Sequence, residues 1–236
     1  MLNRFFGGSG ERPQRESVED VSPRPPALRT PRLPPGQRET TKWPVLHYRE
    51  PAPYDLATWD FHVRGLIGED LHWSWDEFNA LPRTEITSDI HCVTQWSRYD
   101  NHWEGVHVRE ILRRIALAPE AQFVMVHADP GYTTNITLAE LDQADVLFAT
   151  HHDGAPLAHE HGGPLRLVLP SLYFWKSAKW VRGLEFMDHE QAGFWEQNGY
   201  HVRGDPWLEE RFGGRVRLTM QEARSRALHE GRRVEE

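Results

Sequence analysis

One cysteine occurs in the chain, Cys92, within the stretch SDIHCVTQW that runs from Ser88 to Trp96. A lone cysteine can be a small buried hydrophobe, a nucleophile or a thiolate ligand. Nucleophilic use would need a base facing the sulfur. The adjacent His91 is poorly placed for that, because successive residues of a strand point to opposite faces. A ligand role suits a metal that accepts further sulfur donors. A single cysteine also excludes an intrachain disulfide and a multi-cysteine zinc or iron–sulfur centre.

Two other groups carry chemistry-bearing types. The segment THHDGAPLAHEHGGP holds His151, His152, His159 and His161 around Asp153 and Glu160. Imidazole and carboxylate suit zinc or iron, but neither HExxH nor C-x-x-C accompanies them. A solvated turn containing one functional histidine is the competing reading. The segment GGPLRLVLPSLYFWKSAKW places Lys176 and Lys179 around Ser177, after Tyr173, Phe174 and Trp175. Glycines permit close backbone approach, and Arg166, Ser177 and Lys179 could hold a phosphate. Basic groups among aromatics in an acidic chain suggest an anionic, planar ligand.

The elements that must position these groups follow from periodicity. TWDFHVRGLI alternates as a strand, with Phe61 and Val63 on one face. SWDEFNALPR is a short helix with Ser74 as N-cap, and TEITSDIHCV is a strand delivering Cys92 to its end. VHVREILRRIAL carries Val108, Ile111, Leu112 and Ile115 at helical spacing. AQFVMVHA, VLFATHHDG, PLRLVLP and KWVRGLEFM read as further strands, and TLAELDQA as a capped helix. Short strands with a few helices and no regular βαβ repeat predict an α+β fold with mixed, mainly antiparallel sheets.

Residues 1–42 are polar and proline-dense, which predicts an extended or disordered tail; its end wrapping over the domain as an ordered arm is the alternative. The folded domain is expected over 43–216, followed by a charged helix or tail over 217–236. A net charge of −8 argues against a nucleic-acid partner. No apolar run suits a signal peptide or a membrane span, so a cytoplasmic protein is expected.

Taken in order, several blocks resemble the molybdopterin-binding domain of the sulfite oxidase family, particularly its short bacterial members. The blocks are LPPGQRETTKWPVLH, WDFHVRGLI, LPRTEITSDIHCVTQWSRYDNHWEGV, GGPLRLVLPSLYFWKSAKWVRGLEF and GFWEQNGYHVRGDPWLEERF, spanning roughly residues 34–212. The resemblance implies that family's fold, with molybdenum and molybdopterin as cofactors and Cys92 as the protein ligand to the metal. It places Tyr132 beside the substrate and assigns His161 and Arg166 to cofactor or pocket contacts. Ser177, Ala178 and Lys179 would hold the pterin phosphate, and His47 would touch the pterin from an entry loop. The implied activity is oxygen-atom transfer on a small oxyanion, sulfoxide or N-oxide. Electrons would pass through a separate protein of haem or flavin type, since no second redox centre is expected in the chain. One departure bears on substrate: after the cysteine, animal sulfite oxidases are arginine-rich, whereas this chain has TQWSRYDNHW. Two rival readings are a zinc or iron hydrolase built on the histidine-rich loop and a pterin- or partner-binding module without turnover.

Overall fold

Alternation along β2 (Asp60–Gly65) buries Phe61 and Val63 completely and leaves His62 and Arg64 exposed, as a half-buried strand requires. That strand belongs to one of two sheets in a computed structural model that describes residues 31–213. In chain order the elements are β1 (Arg38–Glu39), β2, β3 (Leu71–Ser74), α1 (Trp75–Asn79), β4 (Arg83–Cys92), β5 (Trp96–His107) and α2 (Val108–Leu112). They continue with β6 (Phe123–Ala128), β7 (Tyr132–Thr137), α3 (Leu138–Leu141), β8 (Leu147–His152) and β9 (Ala155–Pro156). The last are β10 (Arg166–Val168), β11 (Val181–Met187) and α4 (Phe194–Gln197).

One sheet orders β1-β5-β8-β10, with β4 also on β5 and β9 also on β8; the other orders β3-β2-β11-β6-β7. Only β1–β5 and β2–β11 pair in parallel, so the expected mixed, mainly antiparallel α+β architecture is what forms. The main core draws on both sheets: Phe61 meets Phe148 of β8 at 5.3 Å, edge to face. In β8, Phe148 joins this core while Leu147 and Ala149 join a second cluster with Ile90 and Trp103. The period of two thus buries both faces of that strand. Gly105 lets β5 lie this close to β8, since a Cβ there would stand 2.0 Å from the Phe148 carbonyl oxygen.

Two helix starts follow their sequence signals. Ser74 and Glu77 form a reciprocal capping box on α1, and Thr137 and Glu140 form another on α3. The helix read over VHVREILRRIAL is shorter than its periodicity suggests and ends at Leu112. Backbone pairing draws the following chain away: Gly68 N–H donates to the Ala116 carbonyl at 2.8 Å, and Ala118 N–H to Leu66 at 3.0 Å.

Residues 31–42 lie against the domain as an arm. Strand β1 pairs with Trp96 and Ser97 of β5, and Arg32 forms an ion pair with Asp89 at 2.6 Å. The Gln37 amide donates to the Cys92 carbonyl at 2.9 Å. Ordered packing therefore begins N-terminal of residue 43. The first thirty residues of the tail and the charged C-terminal segment expected over 217–236 lie outside the described residues. Among the described residues, no helix is long and apolar enough to cross a membrane.

Candidate functional site

Cys92 stands at the last position of β4, where a tight turn leads into β5. Gln95 N–H donates to the Cys92 carbonyl at 3.0 Å, and Gln95 takes a left-handed φ of 69° to close the turn. The thiol is 8% exposed and lines a cavity of about 390 Å³. The Thr94 hydroxyl donates to Sγ at 3.0 Å, a contact that would favour a thiolate. His91 points elsewhere, as strand geometry requires: its Nδ1 lies 2.8 Å from Ser97 Oγ, and its ring packs edge-on against Trp207 at 4.8 Å. The turn is also held from outside. Arg211 donates to the Val93 carbonyl at 2.8 Å, and Gln37 holds the Cys92 carbonyl from the arm.

Strand β10 and the segment after it bring basic groups to the same cavity. Arg166 is 2% exposed and donates to the carbonyls of His161 at 2.6 Å and Ser177 at 3.0 Å. Its guanidinium carbon lies 4.0 Å from the Phe174 ring centroid, a cation–π arrangement. Burial pulls its pKa down to about 9, against the opposing influence of Tyr132 and Cys92, so it stays cationic at neutral pH. Burial, and then the charge of Arg166, pulls the Lys179 ammonium down to about 7. Lys179 Nζ donates to the Glu160 carbonyl at 2.5 Å. The Ser177 hydroxyl accepts from Leu169 N–H at 3.0 Å, and Ala178 is buried beside it.

Of the residues singled out from the sequence, the cavity wall brings together Cys92, Tyr132, His47, Arg166, Ser177, Ala178 and Lys179. Tyr132 donates its hydroxyl proton to the Trp175 carbonyl at 2.7 Å, and burial raises its pKa well above the ordinary phenol value. His161 is set back from the cavity, stacked on Trp43 with ring centroids 3.7 Å apart. Burial and the charges of Arg166 and Lys179 push its pKa down to about 4, so its imidazole is neutral.

Lys176 does not line the cavity. It is fully buried, with Nζ 2.6 Å from Glu196 and donating to Asn135 and Val202 carbonyls at 2.7 and 2.5 Å. The histidine-rich loop does not assemble a metal centre either. His151 bonds Thr150 at 2.9 Å, His152 bonds Asn101 at 3.2 Å, and His159 bonds the Pro51 carbonyl at 2.9 Å. His161 is taken up by its stacking on Trp43. Trp43, Thr94, Trp96, Trp195 and Tyr200 also line the cavity; all five lie within the matching blocks, but their types and spacing alone do not mark them as site residues. Trp43 and Tyr200 reach the cavity from distant parts of the chain, and only tertiary structure reveals that.

The lining can be tested against a sulfur-rich, anionic, planar cofactor. It offers one sulfur donor, the basic side chains of Arg49, Arg166 and Lys179, and the aromatic rings of Phe174 and Trp180. It also offers two buried N–H groups with no hydrogen-bond partner among the described residues, Arg166 Nε and Trp96 Nε1. Buried donors of this kind require a partner, and a polar ligand edge supplies one. The residues fit such a group.

Residues 47–195 match the family described as the oxidoreductase molybdopterin binding domain. An uncharacterized oxidoreductase of Bacillus subtilis, YuiH, is 48% identical over 183 residues, covering 77% of this chain and 92% of the relative. The YedZ1 chain of Azospira oryzae, provisionally named a protein-methionine-sulfoxide reductase subunit, is 28% identical over 64% of this chain and 57% of its own length. Sulfite oxidase of Gallus gallus is 28% identical over 64% of this chain and 38% of its own length. Among solved structures, the sulfane dehydrogenase SoxCD from Paracoccus pantotrophus has the same fold over 58% of this chain and 40% of that one, with a TM-score of 0.53 and 21% identity.

Proposed function

The chain belongs to the family of molybdopterin-binding oxidoreductases, an enzyme family that uses the molybdenum cofactor, and from that premise we propose that it carries out oxygen-atom transfer on a small oxyanion, sulfoxide or N-oxide. Cys92 is the protein ligand to molybdenum in this reading. The observation that carries it is the chain's single thiol at the wall of a cavity that Arg166 and Lys179 also line. The bound cofactor would supply a two-electron redox change coupled to oxygen transfer. For a sulfoxide the net change is cleavage of the S–O bond with uptake of two electrons and two protons and release of water. A separate electron carrier of haem or flavin type supplies or removes the electrons.

The chain's own residues set the geometry. The Thr94 hydroxyl donates to the sulfur, and Gln37 and Arg211 fix the turn that carries it. Arg166, Ser177, Ala178 and Lys179 hold the polar and anionic edge of the pterin, with Arg166 Nε free to donate to it. His47 lines the cavity, and neutral His161 stacks on Trp43, which lines it too. Tyr132 orders the substrate side through its bond to Trp175. Protein purified from molybdenum-replete cells is expected to contain molybdenum and a pterin, and to turn over a sulfoxide, N-oxide or sulfite with an artificial electron donor or acceptor. Protein containing neither molybdenum nor pterin would remove this reading.

Lys179 gives the cofactor site a pH dependence. Its pKa near 7 in the cofactor-free protein would rise once an anionic group lies beside it. Binding then takes up a proton wherever the cofactor-free lysine is neutral. Affinity is therefore full below about pH 7 and falls as pH rises above it. Equilibrium dialysis followed by pterin fluorescence between about pH 6 and 9 checks the slope. Lys179→Gln is expected to flatten it, and an affinity that rises with pH contradicts the assignment.

A further inference from the structure

A second group of ligand-type side chains lies on the outer face of the other sheet, away from Cys92. On β2 the alternation that buries Phe61 and Val63 turns Asp60 and His62 outward on one face. The antiparallel register sets His72 of β3 directly across from His62. The two imidazole centroids are 4.6 Å apart. Asp60 Oδ2 lies 2.9 Å from His62 Nε2 and 3.6 Å from His72 Nε2. One ligand atom from each of the three residues falls within 4.8 Å of the others. Among the described residues, no other three histidine, cysteine or carboxylate side chains meet in this way.

We propose that Asp60, His62 and His72 form a surface site for a divalent transition-metal ion of the zinc class, distinct from the cofactor cavity. Two imidazoles and a carboxylate are a donor set suited to zinc, nickel or copper, and solvent fills the remaining positions. The carboxylate is held for the task. Its other oxygen, Oδ1, accepts from Arg182, which orients Oδ2 toward the imidazoles. Beneath the ribbon, Phe61 of the core lies 6.2 Å from the ring of Trp73, which packs against that core. Both imidazoles are 54% exposed, so an ion reaches them without any opening of the fold. Bound metal ties the edge strand β3 to β2, and it stabilises the native state by mass action.

Zinc chloride titrated calorimetrically into the cofactor-loaded full chain tests the site. The expected result is a saturable zinc site that raises the melting temperature. Single His72→Ala or Asp60→Asn replacements are expected to weaken zinc by about tenfold or more, as loss of even an outer-shell partner costs about 10–100-fold. The double His62→Gln and His72→Gln variant is expected to lose the site, whereas His189→Ala on the exposed loop after β11 leaves it unchanged. Absence of saturable zinc binding would overturn the proposal. So would a double variant, folded by circular dichroism, that binds zinc as the parent does.

Discussion

Cys92→Ser is expected to lower turnover by more than about 100-fold while leaving the fold intact. Changes to residues that merely orient a metal ligand typically cost about 10–100-fold, and exchange of the proposed ligand itself should exceed that. The exchange replaces a soft sulfur donor by a hard oxygen whose proton is far less acidic, so the donor set loses what suits it to a sulfur-coordinated metal. The structural cost is small. The side chain keeps its shape, the Thr94 hydroxyl retains a polar partner 3.0 Å away, and the backbone clamp from Gln37 and Gln95 acts on the carbonyl. The melting temperature should therefore stay within about 2 °C of the parent, less than about 1 kcal/mol for a chain of this size. Pterin should remain bound through Arg166 and Lys179 even where molybdenum is depleted, so the ratio of metal to pterin reports the ligand directly. A serine variant that retains full metal content and activity would mean that Cys92 is only a cavity wall.

The local setting of that cysteine is legible in the residue order. Alternation in TEITSDIHCV implies a strand ending at Cys92 and turns His91 to the opposite face, and β4 does both. The capping boxes at Ser74 and Thr137 are local as well, since three or four residues suffice to satisfy their donors. What escapes a reading of the sequence is long-range. Nothing in the residue order joins Gln37 to the Cys92 carbonyl across 55 positions, or sets Trp43 over His161. Composition makes residues 31–42 look like tail, yet their polar groups and β1 find partners on β5 and the Cys92 turn. The two lysines of WKSAK show the limit most plainly. They are three apart and chemically identical, but Lys179 lines the cavity while Lys176 is sealed beneath it.

Lys176→Met is expected to destabilise the protein by about 3–5 kcal/mol, the usual result of removing one member of a buried ion pair. The lysine and Glu196 side chains are both fully buried, 2.6 Å apart. Burial alone lowers the lysine pKa, and the nearby Glu196 carboxylate is the main influence opposing that shift. Methionine fills similar volume but leaves the carboxylate with only Trp175 Nε1 at 2.9 Å and Thr134 Oγ1 at 3.2 Å as donors. It also strips the Asn135 and Val202 carbonyls of a donor. At about 2–4 °C per kcal/mol for a chain of this length, the melting temperature should fall by roughly 10 °C. Pairing Lys176→Met with Glu196→Leu removes both charges, and the double variant is expected to be more stable than the single one. Urea unfolding of the parent, the two single variants and the double variant gives the coupling. A single variant within about 1 kcal/mol of the parent would show that the pair is not what seals this layer. The consequence reaches the cavity through one residue. Trp175 donates its indole N–H to Glu196 and accepts the Tyr132 hydroxyl on its carbonyl, so loss of the pair loosens the segment carrying Ser177, Ala178 and Lys179. Pterin retention should therefore fall in the single variant and recover in part in the double one, which ties a stability element 41 residues from its Asn135 partner to the site it supports.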